Sequence, residues 1–524
     1  MVSLLRHLVL LAVATCSFVC SGSSSTSEDS RTVVEVSPPV WIPSAGDSLA
    51  TQQLLRQIEL FQESESVRYG TVALSVRRVQ DGRELIGYNA RLSLPSASTL
   101  KLITTATALS VLGPDFRYTT TLAHDGTIKD SVLAGNLSIQ GTGDPSLGSW
   151  RFSGYPDVSA LLKTWSAAVQ KAGIKRVDGR VVGDGSLYAD LTTPGTWPYG
   201  DLGNYYGAGL NALNINENLY RIFFRPGKIV GASASVLRTD PVVPYLTFQN
   251  LVTTDAPNTG DQVNIVGAPL QNQQWLTGKV PKDAPANEFS VKGSLPDPAF
   301  YAAYALQQQL IQDNVGVGVQ SISVGGGQST TVASMGKRTV LSEYQSPPLA
   351  ELVMQTNYQS INLYAEALLR TTALRLDKTV RTTNGSVDAL VEYWKKKGVN
   401  LDGFRPHDGS GLSTTGSLTA DNMTGILSRM AQESAFTTFY NTIPVVGQSG
   451  TVKWLARGTA ASGNVRAKSG SIEGVRAYAG YFTATDGERM AFCILVNKIT
   501  PDYNRAVTKE LEKMFVGLVG LGGR

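Results

Sequence analysis

The chain has 524 residues, of which 42% are hydrophobic and 17% are charged, a composition typical of a globular protein with several domains. Its formal net charge of +4 is too small to indicate a nucleic-acid partner or attachment to a membrane surface, so neither class of partner is expected.

The N-terminal residues have the pattern of a secretory signal peptide followed by a tether. Arg6 and His7 precede a short apolar run at 8–14, and small residues follow it. The run is too short to span a membrane, and no other stretch holds the ~20 apolar residues that a spanning helix needs. We therefore expect a signal peptide at 1–21, a Ser-, Thr- and Pro-rich tether at 22–48, and an exported protein that is soluble or loosely membrane-associated.

Residues 49–116 are predicted to begin the core domain. A helix is indicated by the apolar spacing of SLATQQLLRQIELFQ, and a hairpin with an Asp-Gly turn by TVALSVRRV and ELIGYNA. A second helix is expected from Pro95, which favours a helix start, to Gly113, which ends it.

Residues 117–337 are predicted to form inserted, β-rich domains. Short alternating strands are separated there by turns rich in Gly, Asn, Asp and Pro, and one helix, VSALLKTWSAAVQKAG, interrupts them. No repeat of fixed period is present.

Residues 338–524 are predicted to complete the core domain. Three helices come first, in SPPLAELVMQTN, SINLYAEALLRTTALRL and VDALVEYWKKKG. Three strands follow, in NVRAKSGS, VRAYAGYFTA and RMAFCILVNKI, and a helix, NRAVTKELEKMFVGL, ends the segment. We expect the hairpin of the first part to join these strands in one antiparallel sheet covered by helices, which is an α+β fold.

Lys101 is the single charged residue of PSASTLKLITTATAL, residues 95–109. On a helix, Ser98 lies one turn before it on the same face, in the first turn, where unpaired N–H groups favour an anion. A desolvated lysine has a lowered pKa and can accept the serine proton. Since histidine is nearly absent from the chain, Lys101 is the natural base for a serine nucleophile.

The Ser-x-x-Lys pattern alone is weak, because about one instance is expected by chance in a chain of this length. A second instance is Ser334–Lys337. The alternative interpretation is a helix cap at Ser98 and a surface lysine at Lys101.

Two further motifs strengthen the catalytic interpretation. Ser360 and Asn362 lie where one predicted helix ends and the next begins, so they can point a hydroxyl and an amide into a cleft, although a plain N-cap is the alternative. Lys468, Ser469 and Gly470 lie on a predicted edge strand that could pair with an extended peptide and hold its terminal carboxylate. The alternative is an exposed lysine at a hairpin end.

Metal and cofactor chemistry is not expected. Two of the three cysteines lie in the predicted signal peptide, so a disulfide framework and a Cys-based zinc site are excluded, and Cys493 is expected to be a buried thiol on a strand. His124 and His407 are predicted at the surface. Attachment of a lipoprotein anchor at Cys16 is a second interpretation of the N-terminus.

The three motifs occur in the order Ser-x-x-Lys, Ser-x-Asn, Lys-Ser-Gly, and closely related motifs define the penicillin-binding proteins and β-lactamases. The chain resembles the class C low-molecular-weight penicillin-binding proteins, D-alanyl-D-alanine carboxypeptidases/endopeptidases of the DacB type. The matching stretches are LPSASTLKLITTATAL, GTGDPSLG, RVVGDGSLY, GLNALNINEN, SPPLAELVMQTNYQSINLYAEALLR, DGSGLS and GNVRAKSGSIEGVRAYAGYF. The resemblance implies a serine β-lactamase-like transpeptidase core with inserted β-rich domains.

The resemblance also implies roles for the motif residues. Ser98 would be the acylated nucleophile and Lys101 its base, Ser360 and Asn362 would relay the proton and bind the substrate amide, and Lys468 would lie close to the serines and the substrate carboxylate. The substrates would be peptidoglycan stem peptides in the periplasm or the extracellular cell-wall space, with β-lactam antibiotics as covalent inhibitors and no cofactor.

Further positions of the substrate site follow from the same resemblance. The backbone N–H groups of Ser98 and Ser471 would form the oxyanion hole, and Ser469 and Gly470 would bind substrate. Asp190, in GSLYADL, is the candidate for an acid of the substrate side-chain pocket, although the alignment there slips by one position.

The chain departs from the family pattern at three positions. Ile361 replaces the usual Asp of the second motif, and Ser469 replaces the usual Thr of the third but keeps the hydroxyl. Thr414, which follows DGSGLS, replaces an Arg that recognises the end of the peptidoglycan side chain, so the usual preference for a free diaminopimelate-like end is in doubt.

Two other functions compete with a DD-peptidase. One is a β-lactamase or esterase on the same fold, although no Glu-containing motif is recognisable that would activate a deacylating water. The other is a non-catalytic exported scaffold, although all three motifs keep the chemical type that catalysis needs.

Overall fold

The computed structural model describes residues 48–285, 288–326 and 337–522 of the chain. The signal peptide predicted at 1–21 and the tether predicted at 22–48, apart from Ser48, lie outside the described residues. All described residues fall in one compact unit. Within these ranges, no helix is long and apolar enough to cross a membrane.

The described residues form twenty-one strands. In chain order their bounds are β1 (Thr71–Arg78), β2 (Glu84–Tyr88), β3 (Thr119–His124), β4 (Thr127–Lys129), β5 (Val132–Ala134), β6 (Leu137–Gln140), β7 (Arg176–Val177), β8 (Val181–Gly185), β9 (Leu219–Arg225), β10 (Ser235–Asp240), β11 (Thr247–Asn250), β12 (Thr253–Asp255), β13 (Gln262–Val266), β14 (Gln273–Pro281), β15 (Ser290–Ser294), β16 (Gly316–Val317), β17 (Ile322–Gly325), β18 (Thr339–Gln345), β19 (Arg466–Ile472), β20 (Val475–Thr483) and β21 (Arg489–Asn497).

The same residues form ten α-helices. Their bounds are α1 (Leu49–Glu63), α2 (Leu100–Leu112), α3 (Val158–Lys171), α4 (Pro298–Gln312), α5 (Leu349–Gln359), α6 (Asn362–Leu376), α7 (Thr383–Lys396), α8 (Ala420–Met430), α9 (Phe436–Asn441) and α10 (Asn504–Val519). The helices predicted from apolar spacing are confirmed as α1, α2, α3, α5, α6, α7 and α10.

The prediction of a single helix between 117 and 337 is wrong, because α4 also lies there. Its start carries a clear signal: Asp297 accepts the Phe300 amide with its side chain, and Pro298 occupies the first turn. Helix α8 was likewise not predicted, although Thr419 and Asn422 form a reciprocal capping box at its start.

The central sheet has five strands in the order β19-β20-β21-β1-β2, all antiparallel. The predicted hairpin β1–β2 therefore joins the three C-terminal strands, as expected. Helices α1 and α10 pack on one face, and α8 lies on the other with α2 behind it. This arrangement confirms the predicted α+β class.

Strand β21 shows why a strand of this antiparallel sheet has a continuous apolar sequence. Phe492 and Ile494 belong to the apolar cluster that α1 and α10 complete, whereas Ala491 and Cys493 belong to the cluster that α2 and α8 complete. Successive residues point to opposite faces, and both faces are covered. Cys493 is buried, as predicted.

Residues between β2 and α5 supply four smaller sheets. Their strand orders are β10-β9-β15, β11-β14-β12 with β13 beside β14, β16-β7-β5-β4, and β17-β8-β6-β3-β18. Strand β18 lies beyond residue 337 and pairs with β3 along its length. We therefore propose that the inserted segment extends to Gln345.

The two histidines of the described residues differ in their surroundings. His407 is exposed, as predicted. His124 is buried on β3, and its Nδ1 lies 3.0 Å from the Gly126 carbonyl oxygen, so its predicted surface position is wrong. The strand pairs with β6 on one side and β18 on the other, so His124 lies on an interior strand of its sheet.

Candidate active site

Ser98 lies in a tight 3₁₀ turn, Ala97–Thr99, that leads directly into α2. Lys101 is in the first turn of that helix, and its Nζ lies 2.8 Å from Ser98 Oγ. Ser98 is partly exposed, whereas Lys101 is fully buried. The alternative of a surface lysine at this position is therefore wrong. Ala97 has a φ of 46°, a left-handed conformation that strains a non-glycine residue immediately before Ser98.

Lys101 is held by three acceptors. Its Nζ donates to Ser98 Oγ, to Asn362 Oδ1 at 2.6 Å and to the Ser410 carbonyl at 2.8 Å. Burial lowers the pKa of Lys101 to about 7, against the opposing effect of the Asp408 and Glu366 carboxylates. A large neutral fraction near pH 7 allows the amine to take a proton from Ser98.

The second predicted motif lies at the corner between α5 and α6. Ser360 has a φ of 58° and a ψ of 40°, which ends α5, and Asn362 opens α6. Asn362 Oδ1 accepts from Lys101, while its Nδ2 donates to the Tyr206 carbonyl at 2.7 Å. Asn362 therefore connects the base to a loop of the inserted segment.

Lys468 of the third motif contacts Ser360 of the second motif. It lies on β19, at the edge of the central sheet, and its side chain is fully buried. Its Nζ donates to Ser360 Oγ at 2.9 Å and to the Ser469 carbonyl at 2.7 Å. Burial, and then the nearby Lys101, hold the pKa of Lys468 well below its usual value.

Strand β19 approaches the Ser98 turn closely at Gly470. A Cβ atom at this position would lie 2.6 Å from the Ser96 carbonyl oxygen and 3.1 Å from the Thr99 nitrogen. Only a glycine allows this approach without displacing the backbone. Ser469 Oγ lies 2.7 Å from Thr451 Oγ1, and Ser471 is exposed on the same strand.

The loop of the DGSGLS stretch forms the floor of the site. Asp408 is buried and accepts the Trp197 indole N–H and the Gly411 and Ser413 amides, each at 2.8 Å. Gly411 has a φ of 76°, and a Cβ there would lie 2.0 Å from the Ala97 carbonyl oxygen. The loop therefore packs directly against the Ser98 turn and presents the Ser410 carbonyl to Lys101.

Sequence reasoning missed Glu366. It is buried on α6, one turn after Asn362, and its two carboxylate oxygens accept the Gly409 amide. Burial, and then the Asp408 charge, raise its pKa. The signal was available, because residues four apart share a helix face and the carboxylate of Glu366 follows Asn362 at that spacing.

Asp190 and Thr414 are the remaining residues that the sequence suggested for substrate binding. The Asp190 carboxylate accepts from Arg370 Nη2 at 2.7 Å and from the Thr383 amide at 2.6 Å, so it is tied to α6 and α7. Thr414 is exposed on the loop that follows Ser413. Among the residues that the structure describes, no cluster of His, Cys, Asp and Glu side chains could hold a metal ion.

Comparison with known sequences identifies a family and several relatives. The sequence model described as the D-Ala-D-Ala carboxypeptidase 3 (S13) family matches residues 54–518. The chain is 26% identical over 434 residues to D-alanyl-D-alanine carboxypeptidase DacB of Haemophilus influenzae, covering 81% of this chain and 85% of that protein. It is also 26% identical over 456 residues to a D-alanyl-D-alanine carboxypeptidase of Actinomadura sp. (strain R39), covering 85% of this chain and 81% of that protein.

The fold is similar to that of solved structures. The crystal structure of penicillin binding protein 4 (dacB) from Haemophilus influenzae matches with a TM-score of 0.74 and 22% identity, covering 91% of this chain and 100% of that chain. A structure of the same protein complexed with a novel β-lactam matches with a TM-score of 0.70 and 22% identity, covering 90% and 98%. These matches confirm the predicted transpeptidase-like fold.

Proposed function

The chain belongs to the D-Ala-D-Ala carboxypeptidase 3 (S13) family, and from that premise we propose a serine mechanism in which Ser98 is the nucleophile and Lys101 its base. The enzyme is a penicillin-binding DD-peptidase. One observation carries the assignment of the two residues. Lys101 is fully buried with its Nζ 2.8 Å from Ser98 Oγ, which is the geometry of a lysine poised to take the hydroxyl proton.

The first half of the reaction forms an ester on Ser98. Its Oγ attacks the carbonyl carbon of the penultimate D-alanine of a stem peptide, and its proton passes to Lys101 Nζ. The C–N bond then breaks, the proton that Lys101 accepted passes through Ser360 and Lys468 to the leaving amine, and D-alanine departs, which leaves Lys101 neutral again. The contact of Lys468 Nζ with Ser360 Oγ at 2.9 Å supports this route.

The second half hydrolyses the ester. Water gives a proton to Lys101 and its oxygen to the acyl carbon, the C–Oγ bond breaks, and Ser98 recovers its proton, so a shortened peptide acid is released. We place the developing oxyanion between the backbone N–H groups of Ser98 and Ser471. The close approach of β19 to the Ser98 turn at Gly470 supports this placement.

The remaining assignments concern the residues that bind the substrate and the compartment in which it lies. Ser469 and Gly470 lie beside Lys468 on the edge strand, where they would bind the terminal carboxylate, with stem peptides as substrates and β-lactams as covalent inhibitors. We propose that the enzyme acts outside the cytoplasmic membrane, in the periplasm or cell-wall space, because peptidoglycan lies there and the N-terminal residues have the pattern of a signal peptide.

Intact mass spectrometry after a short incubation with benzylpenicillin tests the assignment. We expect one stable adduct per wild-type chain, none on Ser98→Ala, and an unchanged adduct on Ser334→Ala, the serine of the second Ser-x-x-Lys motif. Rapid loss of the adduct with penicillin turnover would favour a β-lactamase. An absent adduct on the folded wild type, together with no release of D-alanine from a pentapeptide, would favour a scaffold.

A further inference from the structure

A basic and aromatic patch lies on the surface beside the third motif. Its members are Lys453, Trp454 and Arg457, all exposed, with Trp454 66% accessible. The Arg457 guanidinium stacks 3.9 Å from the Trp454 ring, and the Lys453 ammonium lies 5.2 Å from it. The patch therefore presents one exposed aromatic ring with two cations beside it, which can bind a ligand by stacking and by charge.

The local backbone connects this patch to the active site. A 3₁₀ turn, Gly450–Val452, is followed by further turns, in which the Lys453 N–H donates to the Gly450 carbonyl and the Leu455 N–H donates to the Val452 carbonyl. Thr451 and Trp454 are both exposed, and their Cα atoms lie within about 11 Å of each other because only three residues of chain join them. Thr451 Oγ1 in turn lies 2.7 Å from Ser469 Oγ. The patch therefore adjoins the strand that we assign to the carboxylate of the leaving group.

The charges of the patch are free to meet a ligand. Within the described part of the chain, neither Lys453 nor Arg457 forms an ion pair with a carboxylate. Arg457 is nevertheless held in place, because its Nε donates to the Lys453 carbonyl at 2.9 Å. A preorganised cation loses little conformational entropy when it binds a carboxylate.

We propose that Lys453, Trp454 and Arg457 bind the acidic peptide that continues from the leaving amine of a cross-linked stem peptide. The inference rests on the proposed function, which places the leaving group beside Ser469. When free D-alanine leaves, the substrate ends at its carboxylate and does not extend to the patch. When the amine belongs to a second peptide, that peptide continues past Ser469, and its carboxylates complement the two cations.

Two substrates of matched sequence separate this role from catalysis: a monomeric pentapeptide, and a peptide dimer joined from D-alanine to a side-chain amine. Removing stacking and charge contacts of this kind changes affinity about two- to tenfold. We therefore expect Trp454→Ala and Arg457→Gln to lower kcat/KM for the dimer about fivefold and to leave D-alanine release from the pentapeptide unchanged. Trp275→Ala, which removes an exposed tryptophan on β14, is the control and should alter neither.

Added salt gives an independent readout, because it screens exposed cations. Added salt should lower kcat/KM for the dimer more in the wild type than in Arg457→Gln. Equal effects of the variants on both substrates, or no effect on the dimer, would overturn the inference. A wild type that processes the pentapeptide but leaves the dimer intact would also overturn it while the proposed function stands, and failure with both peptides and with penicillin would overturn both.

Discussion

Glu366 accepts the Gly409 amide with both carboxylate oxygens, at 3.0 Å for Oε1 and 3.1 Å for Oε2. The next residue, Ser410, presents its carbonyl to Lys101. Thr104, three residues after Lys101 on α2, donates to the Gly409 carbonyl at 2.6 Å. Glu366 therefore helps to fix the peptide that orients the base, and its charge acts on the same amine.

Replacing Glu366 with Gln should move the acidic limb of the pH–rate profile for acylation to lower pH. Lys101 must be neutral to accept a proton, so the rate rises with pH through its pKa of about 7. The ionised fraction of Glu366 raises that pKa, and because the pKa of Glu366 is itself about 8, this fraction is partial near pH 7. Gln keeps an acceptor for the Gly409 amide but carries no charge. The rate of benzylpenicillin acylation between pH 5 and 9 measures the shift, and a limb that stays in place would contradict it.

Replacing Lys468 with Met should stabilise the fold while it slows acylation. The lysine is fully buried and its pKa is lowered, so removal of its desolvation cost should raise the free energy of unfolding by about 1–3 kcal/mol at pH 7. Loss of the proton relay should slow acylation about 100-fold.

The stability gain of Lys468→Met has a defined pH dependence. Between the lowered folded pKa and the ordinary unfolded pKa, the unfolded state binds more protons, so the wild type loses stability as pH falls. The difference in urea-unfolding free energy between variant and wild type should therefore be larger at pH 7 than at pH 9. A difference that shrinks toward pH 7 would show that burial of Lys468 does not destabilise the fold.

Replacing Gly470 with Ala should push β19 away from the Ser98 turn. The new Cβ would meet the Ser96 carbonyl at 2.6 Å, and backbone atoms cannot yield as a flexible side chain can. We expect acylation to slow about 100-fold, since small displacements of reacting groups have effects of this size. Gly318→Ala, at a position with open space around it, is the control and should acylate normally.

Replacing Asp190 with Asn should cost stability more than substrate affinity. Asp190 pairs with Arg370, whose side chain is 4% exposed, and loss of one partner of a buried pair costs about 3 kcal/mol. Asp178→Asn, which removes the partner of an exposed arginine, should change the unfolding free energy by less than about 1 kcal/mol. If Asp190 instead acts mainly on substrate, its variant should raise KM at unchanged stability.

Replacing Thr414 with Arg should restore recognition of a free diaminopimelate-like end. Thr414 is exposed on the DGSGLS loop, so the longer side chain can be accommodated, and an arginine can bind a carboxylate in a bidentate manner. We expect kcat/KM to rise about tenfold for pentapeptides with diaminopimelate at the third position and to stay constant for those with lysine. Equal values for the two peptides in the variant would contradict the assignment.

Each of the three motifs that we propose to be catalytic carries a local signal in the sequence. Lys101 is the single charge in an apolar run, Ser360 and Asn362 interrupt two helical patterns, and Lys468 is followed by a glycine on a strand. What the sequence could not predict are the contacts between them. The contact of Lys468 with Ser360 and the packing of Gly411 on Ala97 depend on how distant segments meet.

Burial explains most of the remaining differences between the sequence-based predictions and the structure. Glu366 looks like an ordinary charged residue in the sequence, yet it is buried near the base together with Asp408. His124 was expected at the surface because polar residues usually lie there, but it is buried on an interior strand that pairs with β6 and β18. Helix α4 was missed because its sequence lies within a segment dominated by turns and short strands.

Strands β1 and β21 are neighbours in the central sheet, and Thr71 of β1 pairs with Asn497 of β21. The sheet beside the nucleophile therefore joins an early and a late segment of the described chain. The sheets of the inserted segment, in contrast, are complete once Gln345 has been synthesised. Loop closure is costly across a disordered chain, and a folded insertion shortens the effective loop. The inserted segment should therefore fold first during biosynthesis, and the nucleophile should become reactive only after the last strand docks. A chain that ends before β21 should bind no penicillin, although it contains all of Ser98, Lys101 and Lys468.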